Sequence, residues 1–242
     1  MAERFKAYAW KAYEVFASAG SNPVLYANTI YSIMSDMHNT IYILKVIMKR
    51  EMRFMSHDEF LKHIDKLHNN LSKFLNENQI KVDYIVPVLR SGAVPAVYLA
   101  NRLNIVKFAP IQIKHITYKD KSENIEVIFN PLSNLNIDKK DPVFLIVEGT
   151  HSSGTSVKLC IDEILKVYPQ ARLLYVCIAK NYNSISFTDK TIYEDYAFLK
   201  GNNLSKEECE KLGIEFLDAV YPWETLEGEQ KHPDDLEENI FF

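Results

Sequence analysis

The apolar residues in the first part of this 242-residue chain recur at helical spacing. Between Ile30 and Met48 they return about every 3.6 residues, which predicts a helix with one face packed in a core rather than a partner-binding face. A second helix is predicted from Ser56, because Ser56 and Glu59 have the spacing of a capping box. The apolar side of that helix comprises Phe60, Ile64, Leu67, Leu71 and Phe74.

The pattern changes at Val82 to short apolar runs that alternate with helical segments. The runs are "VDYIVPV", "KFAPIQIKHITY", "VFLIV" and "LLYVCIA", and helices are predicted near residues 93–103 and 155–168. Such alternation predicts an α/β fold with a twisted, mostly parallel sheet flanked by helices. The polar segment 117–140 has the length of a functional lid, although its "IEVIF" indicates a strand.

The composition is that of a globular protein with one main domain, since 47% of the residues are hydrophobic. We predict an N-terminal helical extension over residues 1–53, a main domain over 54–225 and an acidic tail over 226–242. The three cysteines are too scattered for a disulfide framework, which favours a reducing, cytoplasmic setting. The N-terminus does not have the pattern of a secretory signal.

Charge and hydropathy exclude two classes of partner. The net charge is −4, but residues 224–242 hold seven acids against one lysine, so the remainder is near +2 and has no basic character suited to nucleic acid. The most apolar helical segment, residues 24–49, is interrupted by polar and charged side chains, so we expect no membrane span. A small-molecule ligand is therefore the expected partner, and a homo-oligomer is possible.

Two glycine-bearing loops follow predicted strands, at the edge where parallel sheets bind ligands. They are "LRSGAVP" and "EGTHSSGTS". In the second, small residues let successive backbone N–H groups point inward at the start of a helix, as a phosphate site requires. An ordinary strand-to-helix turn remains the alternative for a Ser/Gly loop alone. Neither loop has the GK[ST] of a P-loop or a GxGxxG turn.

These loops carry a family resemblance. "VFLIVEGTHSSGTS" is similar to the signature of type I phosphoribosyltransferases, in which acids and a small-residue loop bind phosphoribosyl pyrophosphate (PRPP). "VPVLRSGAVPA" resembles the pyrophosphate loop of that family, which implies a non-proline cis peptide between Leu89 and Arg90. With "IQIKHITY", "CIAK" and "AVYPWE", the order resembles xanthine-guanine and archaeal hypoxanthine-guanine phosphoribosyltransferases over residues 56–224.

The resemblance implies roles for individual residues. Arg90 would contact pyrophosphate, Glu148 would bind the ribose hydroxyls and Mg²⁺, and Lys180 would recognise a purine oxygen. The implied catalytic residues are Glu148, Arg90 and Ser152, and the implied metal ligand is Glu148. The implied substrate-binding residues are Ser91, Gly92, His151, Ser153, Gly154, Thr155, Ser156, Lys180, Asp218 and Ala219.

The sequence departs from the family pattern at three places. Gly149 replaces a second acid, Ser152 replaces an aspartate near the base, and Asp218 replaces the aromatic residue that stacks on the base. Trp223 is expected to be a packing residue rather than a base stacker. His151 could donate to an anion or act as a general acid or base, but we expect a solvent-facing loop histidine.

Two functions follow from these observations. The first is Mg²⁺-dependent transfer of phosphoribosyl from PRPP to a nucleobase, with a purine as the expected base and pyrophosphate released. The alternative is a nucleotide- or phosphate-binding protein that keeps the fold but has lost or replaced the chemistry.

Overall fold

A computed structural model describes residues 52–117, 123–201 and 204–225 of the protein. The predicted N-terminal extension up to residue 51 and the acidic tail beyond residue 225 lie outside the described residues. The described elements are β1 (Met52–Phe54), α1 (His57–Glu77), β2 (Tyr84–Leu89), α2 (Ala93–Leu103), β3 (Ile111–Thr117), β4 (Glu123–Phe129), a 3₁₀ turn (Leu132–Asn134), β5 (Val143–His151), α3 (Thr155–Val167), β6 (Arg172–Asn181), β7 (Tyr193–Lys200), α4 (Lys206–Leu212) and β8 (Asp218–Val220).

The main sheet has six strands in the order β4-β3-β2-β5-β6-β7. All neighbours pair in parallel except β3 and β4, which are antiparallel. The predicted α/β fold with a mostly parallel sheet is therefore confirmed, and "IEVIF" is part of the edge strand β4. A separate parallel pair joins β1 to β8.

Helices cover both faces of the sheet because its central strands are apolar on both sides. Residues Val143, Leu145 and Val147 of β5 share one core with α1 and α2. Phe144 and Ile146 of the same strand share the opposite core with α3. Because β5 side chains alternate between two cores, the register of this strand and the position of its carboxyl end are fixed.

The predicted start of α1 is correct, but its capping box is only half formed. The Ser56 hydroxyl accepts from the Glu59 N–H at 3.1 Å. The Glu59 carboxylate instead accepts two hydrogen bonds from the Arg53 guanidinium, at 2.8 and 3.0 Å. Charge pairing with Arg53, six residues earlier in the chain, thus takes the place of the second capping-box hydrogen bond. Among the described helices, none is long and apolar enough to cross a bilayer.

Candidate functional site

The loop after β2 brings Arg90 to the carboxyl edge of the sheet. The Leu89–Arg90 peptide is cis, as the sequence resemblance implied. The Arg90 side chain is exposed, and among the described residues no carboxylate pairs with its guanidinium. A β-carbon on Gly92 would lie 2.1 Å from the Val147 carbonyl oxygen, so only glycine lets this loop lie against β5.

The loop after β5 forms a cradle of small residues, Ser152–Ser156, at the start of α3. Gly154 precedes the first residue of that helix and has a positive φ of 83°, a conformation that glycine adopts readily. Ser152, Ser153 and Thr155 are exposed. The Ser153 and Thr155 hydroxyl oxygens are 2.8 Å apart. Exposed hydroxyls at the N-terminal end of a helix suit a phosphate group here.

The two loops meet at Gly149, where the family pattern has its second acid. A β-carbon on Gly149 would lie 2.9 Å from both the β-carbon and the carbonyl oxygen of Ser91. The Tyr221 hydroxyl donates to the Gly149 carbonyl at 2.9 Å and lies 2.9 Å from the Thr150 hydroxyl. The space for a second carboxylate is therefore closed by the Arg90 loop, and Tyr221 fixes the backbone beside it.

Glu148, the acid that remains, is turned into the core. The residue is 7% exposed, and the Tyr175 hydroxyl donates to the Glu148 Oε2 at 3.1 Å. Burial raises the pKa of Glu148 to about 8, although the Tyr175 hydrogen bond acts in the opposite direction. At neutral pH this carboxyl group is mainly protonated and faces Tyr175.

Lys180, expected to contact the base, is instead paired with a residue of the neighbouring strand. Its ammonium is ion-paired with Glu194 of β7, and only 8% of the residue is exposed. The Glu194 carboxylate also accepts from the Ser186 hydroxyl at 2.8 Å and from the Phe187 N–H at 2.7 Å. A purine oxygen would have to compete with this carboxylate for the ammonium.

Asp218 and Ala219, which the sequence placed near the base, lie in β8 and contact other elements. Asp218 is ion-paired with Lys200, and Ala219 pairs with Arg53 in the β1–β8 sheet. Trp223 stacks on Tyr221 with ring centroids 5.0 Å apart and meets the Phe60 ring edge-on at 4.8 Å. The expectation that Trp223 is a packing residue is confirmed.

The expectation of a solvent-facing His151 is wrong. Strand β5 continues beyond the predicted "VFLIV" through His151, so the connecting loop is shorter than expected. His151 is fully buried, and its Nδ1 lies 2.8 Å from the Tyr175 hydroxyl oxygen. Burial, reinforced by the Lys180 charge, lowers the pKa of His151 to about 4. A neutral imidazole therefore lies beneath the cradle, on the α3 side of the sheet.

Known proteins share this architecture. The pattern described as the phosphoribosyl transferase domain matches residues 56–198. The chain belongs to this family. A comparison with curated protein sequences gives no match.

Three solved structures resemble this phosphoribosyl transferase domain. A purine phosphoribosyltransferase from Pyrococcus horikoshii is 20% identical with a TM-score of 0.51, over 72% of this chain and 93% of its own. A hypothetical protein from Neisseria gonorrhoeae with bound ppGpp is 13% identical with a TM-score of 0.57, over 75% and 93%. The xanthine-guanine-hypoxanthine phosphoribosyltransferase of Helicobacter pylori is 15% identical with a TM-score of 0.50, over 75% and 100%. At these identities the likeness establishes the fold.

The carboxylates at this edge of the phosphoribosyl transferase domain do not fit a magnesium site held by the protein. Mg²⁺ is usually bound by one or two carboxylates together with substrate phosphates. Glu148 is buried against Tyr175, and Gly149 has neither a carboxylate nor space for one. In the described part of the chain, no three His, Cys, Asp or Glu side chains form a group that could hold a metal ion.

The sequence interpretation missed three residues that shape this site in the phosphoribosyl transferase domain. Tyr175 and Tyr221 have buried hydroxyls that hold β5, and Glu194 holds Lys180. A tyrosine inside the apolar run "LLYVCIA" was a usable signal, because a buried tyrosine hydroxyl needs a partner. Glu194 gave no such signal, since its partner is on another strand.

Proposed function

We propose that this domain binds PRPP across its two loops and transfers the phosphoribosyl group to a nitrogenous base, releasing pyrophosphate. The observation that carries the proposal is the convergence of the Arg90 loop and the phosphate cradle on neighbouring parallel strands. β2 and β5 are paired in parallel as far as Pro87 and Val147, and they end at Leu89 and His151, where the two loops begin. A ligand that carries two separate phosphate groups can therefore reach both loops.

Each loop suits one end of PRPP. Backbone N–H groups and hydroxyls of Ser152–Ser156 would take the 5′-phosphate, assisted by the positive end of α3. Arg90, with Ser91 and Gly92 beside it, would take the pyrophosphate and stabilise the charge that develops as the bond from ribose to pyrophosphate breaks. The acceptor would be a purine-like base near Lys180, Asp218 and Ala219, which attacks through nitrogen and loses its proton to solvent.

The second candidate function is binding without turnover. It is favoured by a specific observation: Glu148 is buried and Gly149 is covered by Ser91, so neither supplies a carboxylate to the ribose hydroxyls or to a metal. The Neisseria gonorrhoeae protein of similar fold holds ppGpp, a nucleotide with two diphosphate groups. ppGpp is therefore a suitable second probe for the same two loops.

Binding and turnover can be tested separately. Calorimetry with PRPP should give saturable binding to the wild-type protein, and Arg90→Ala should weaken it at least about tenfold because a charge-assisted contact is lost. Arg102→Ala is the matched control, since Arg102 lies at the far end of α2 and pairs with Asp65 at 2.9 Å. Equal losses in both variants, or no PRPP binding, would refute the proposed ligand.

Turnover is measured as pyrophosphate release from PRPP with a panel of purine and pyrimidine bases. Base-dependent release that disappears in Arg90→Ala supports the transferase. Saturable binding of PRPP or ppGpp, without pyrophosphate release in the presence of any of the bases, supports the binding function instead.

A further inference from the structure

One buried tyrosine hydroxyl joins the segment after β8 to the carboxyl end of β5. Tyr221 directly follows β8 and is 2% exposed. Its hydroxyl oxygen lies 2.9 Å from the Gly149 carbonyl oxygen and 2.9 Å from the Thr150 hydroxyl oxygen. Thr150 is the last residue but one of β5, and the phosphate cradle begins at Ser152. Tyr221 therefore contacts the backbone that leads directly into the cradle, although it is 72 residues from Gly149 in the sequence.

The direction of both hydrogen bonds follows from the groups that form them. A carbonyl oxygen cannot donate, so the single proton of the Tyr221 hydroxyl lies toward Gly149. The Tyr221 oxygen then accepts from the Thr150 hydroxyl, which has a proton to donate. Burial raises the pKa of Tyr221, so its hydroxyl keeps this proton at neutral pH. The arrangement does not depend on the ionisation of Glu148 or on the tautomer of His151.

The ring and the backbone of Tyr221 are both held in place. Trp223 stacks on the Tyr221 ring with the two planes 1° apart, and Phe60 of α1 meets the Trp223 ring edge-on. The Tyr221 N–H donates to the Glu224 carboxylate at 2.9 Å, and the Glu224 N–H donates to the Tyr221 carbonyl at 2.9 Å. The Tyr221 hydroxyl therefore has a fixed position, and it locates the end of β5.

The strand before Tyr221 is fixed from its other side. β8 pairs in parallel with β1, with Val220 opposite Phe54, and the Met55 N–H donates to the Val220 carbonyl at 2.9 Å. Asp218 and Ala219, near which the base would lie, belong to the same strand. A displacement of the cradle backbone would therefore act on β8 through Tyr221, and a displacement of β8 would act on the cradle.

We propose that Tyr221 is a positioning residue that couples the phosphate cradle to β8. By donating to Gly149 and accepting from Thr150, it holds the end of β5 in the position from which the cradle meets a phosphate group. Phosphate binding and the placement of β8 then reinforce each other, because a coupling free energy acts equally in both directions. This inference rests on the proposed function, since it requires a phosphate group in the cradle.

Calorimetry on the full chain with ribose 5-phosphate measures the positioning effect. Tyr221→Phe and Thr150→Val should each bind roughly three- to tenfold more weakly than wild type, the loss expected for one hydrogen bond. Thr150→Ser keeps the hydroxyl and should stay within about twofold of wild type. The double variant of Tyr221→Phe and Thr150→Val should bind no more weakly than Tyr221→Phe alone, because the Thr150 hydroxyl has then already lost its acceptor.

Tyr168→Phe is the matched control for Tyr221→Phe. Tyr168 follows the C-terminal end of α3, and its hydroxyl donates to the Leu132 carbonyl at 2.9 Å. This variant therefore also loses a bond from a tyrosine hydroxyl to a carbonyl, but away from the cradle, and it should leave the affinity for ribose 5-phosphate unchanged. Urea unfolding checks that every variant is folded under the conditions of the calorimetry.

Hydrogen exchange tests the coupling itself, a property that a purely structural tyrosine would not have. In the wild-type protein, ribose 5-phosphate should slow the amide exchange of β8 by about threefold or more, because binding at the cradle stabilises the placement of that strand. The same ligand should slow exchange in Tyr168→Phe and have no effect on β8 in Tyr221→Phe.

The outcomes separate this inference from the proposed function. Wild-type affinity in Tyr221→Phe and Thr150→Val overturns the role of Tyr221 while leaving the proposed ligand intact. Equal losses in Thr150→Ser and Thr150→Val, an equal loss in Tyr168→Phe, or β8 exchange in the wild-type protein that does not respond to bound ribose 5-phosphate overturns it as well. Absence of ribose 5-phosphate binding in the wild-type protein refutes the proposed function, and this inference with it. If Tyr221→Phe does not fold, the comparison of Thr150→Val with Thr150→Ser decides.

Discussion

The buried carboxyl of Glu148 predicts a loss of stability at mildly alkaline pH. Its pKa is raised from an ordinary value of 4.5 to about 8, so between these values the folded protein holds a proton that the unfolded chain has lost. The free energy of unfolding therefore falls as pH rises through that window. Above pH 8 this contribution is gone.

His151 acts in the opposite sense at lower pH. Its pKa is lowered from 6.5 to about 4, so between these values the unfolded chain binds a proton that the folded protein excludes. This contribution to stability is present above pH 6.5 and is lost as pH falls toward 4. The two effects oppose each other between about pH 4.5 and 6.5, and Glu148 acts alone from 6.5 to 8.

The magnitude follows from the width of the interval in which Glu148 acts alone. One pKa unit corresponds to about 1.4 kcal/mol, so 1.5 pH units correspond to about 2 kcal/mol. In Glu148→Gln the amide has nearly the same size, does not titrate and can still accept from Tyr175. The wild-type protein should lose about 2 kcal/mol more than Glu148→Gln between pH 6.5 and 8.

Urea unfolding followed by tryptophan fluorescence measures this difference. Each protein is unfolded at several pH values from 6 to 8.5 in one buffer system of constant ionic strength. Using the difference between the two proteins removes contributions from groups that they share. Parallel stability curves for wild type and Glu148→Gln would refute the assignment of a buried, protonated Glu148.

Three further predictions concern the same edge of the sheet. Gly149→Asp should lower the melting temperature, because packing the new side chain against Ser91 costs about 1–3 kcal/mol, and it should not raise the affinity for PRPP in calorimetry. Tighter PRPP binding at unchanged stability would contradict the absence of space beside Gly149. Glu194→Gln should destabilise the fold by about 3 kcal/mol in urea unfolding because the Lys180 ammonium loses its buried partner, and wild-type stability would show that the pair is not formed. Tyr221→Phe removes the donor to the Gly149 carbonyl and should cost about 1–2 kcal/mol, measured by thermal unfolding; an unchanged melting temperature would contradict that bond.

The fold was within reach of the sequence because its signals are local. The apolar runs around "VDYIVPV" and "VFLIV", separated by helical segments, predict a parallel sheet without knowledge of any contact. Ser56 predicts the start of α1 because its hydroxyl accepts from an N–H only three residues away. The Leu89–Arg90 cis peptide was implied by the family resemblance and is confirmed.

The orientation and the contacts of the individual site residues could not be predicted from the sequence, since they depend on partners distant in the chain. Glu148 has the same letter whether it faces a ribose or a core, and its orientation is set by Tyr175, 27 residues away. Lys180 is held by Glu194, 14 residues away on another strand. Gly149 could be recognised as a missing acid, but the approach of Ser91 that closes its place is a property of two neighbouring strands.

The sequence by itself thus determined an α/β sheet with a small-residue loop and an arginine loop at one edge, because spacing and small residues act locally. The tertiary structure alone decided that the remaining acid lies in the core, that Lys180 is ion-paired, and that His151 lies under the cradle rather than in solvent. The physical reason is that burial and charge pairing depend on which side chains the folded sheet brings together.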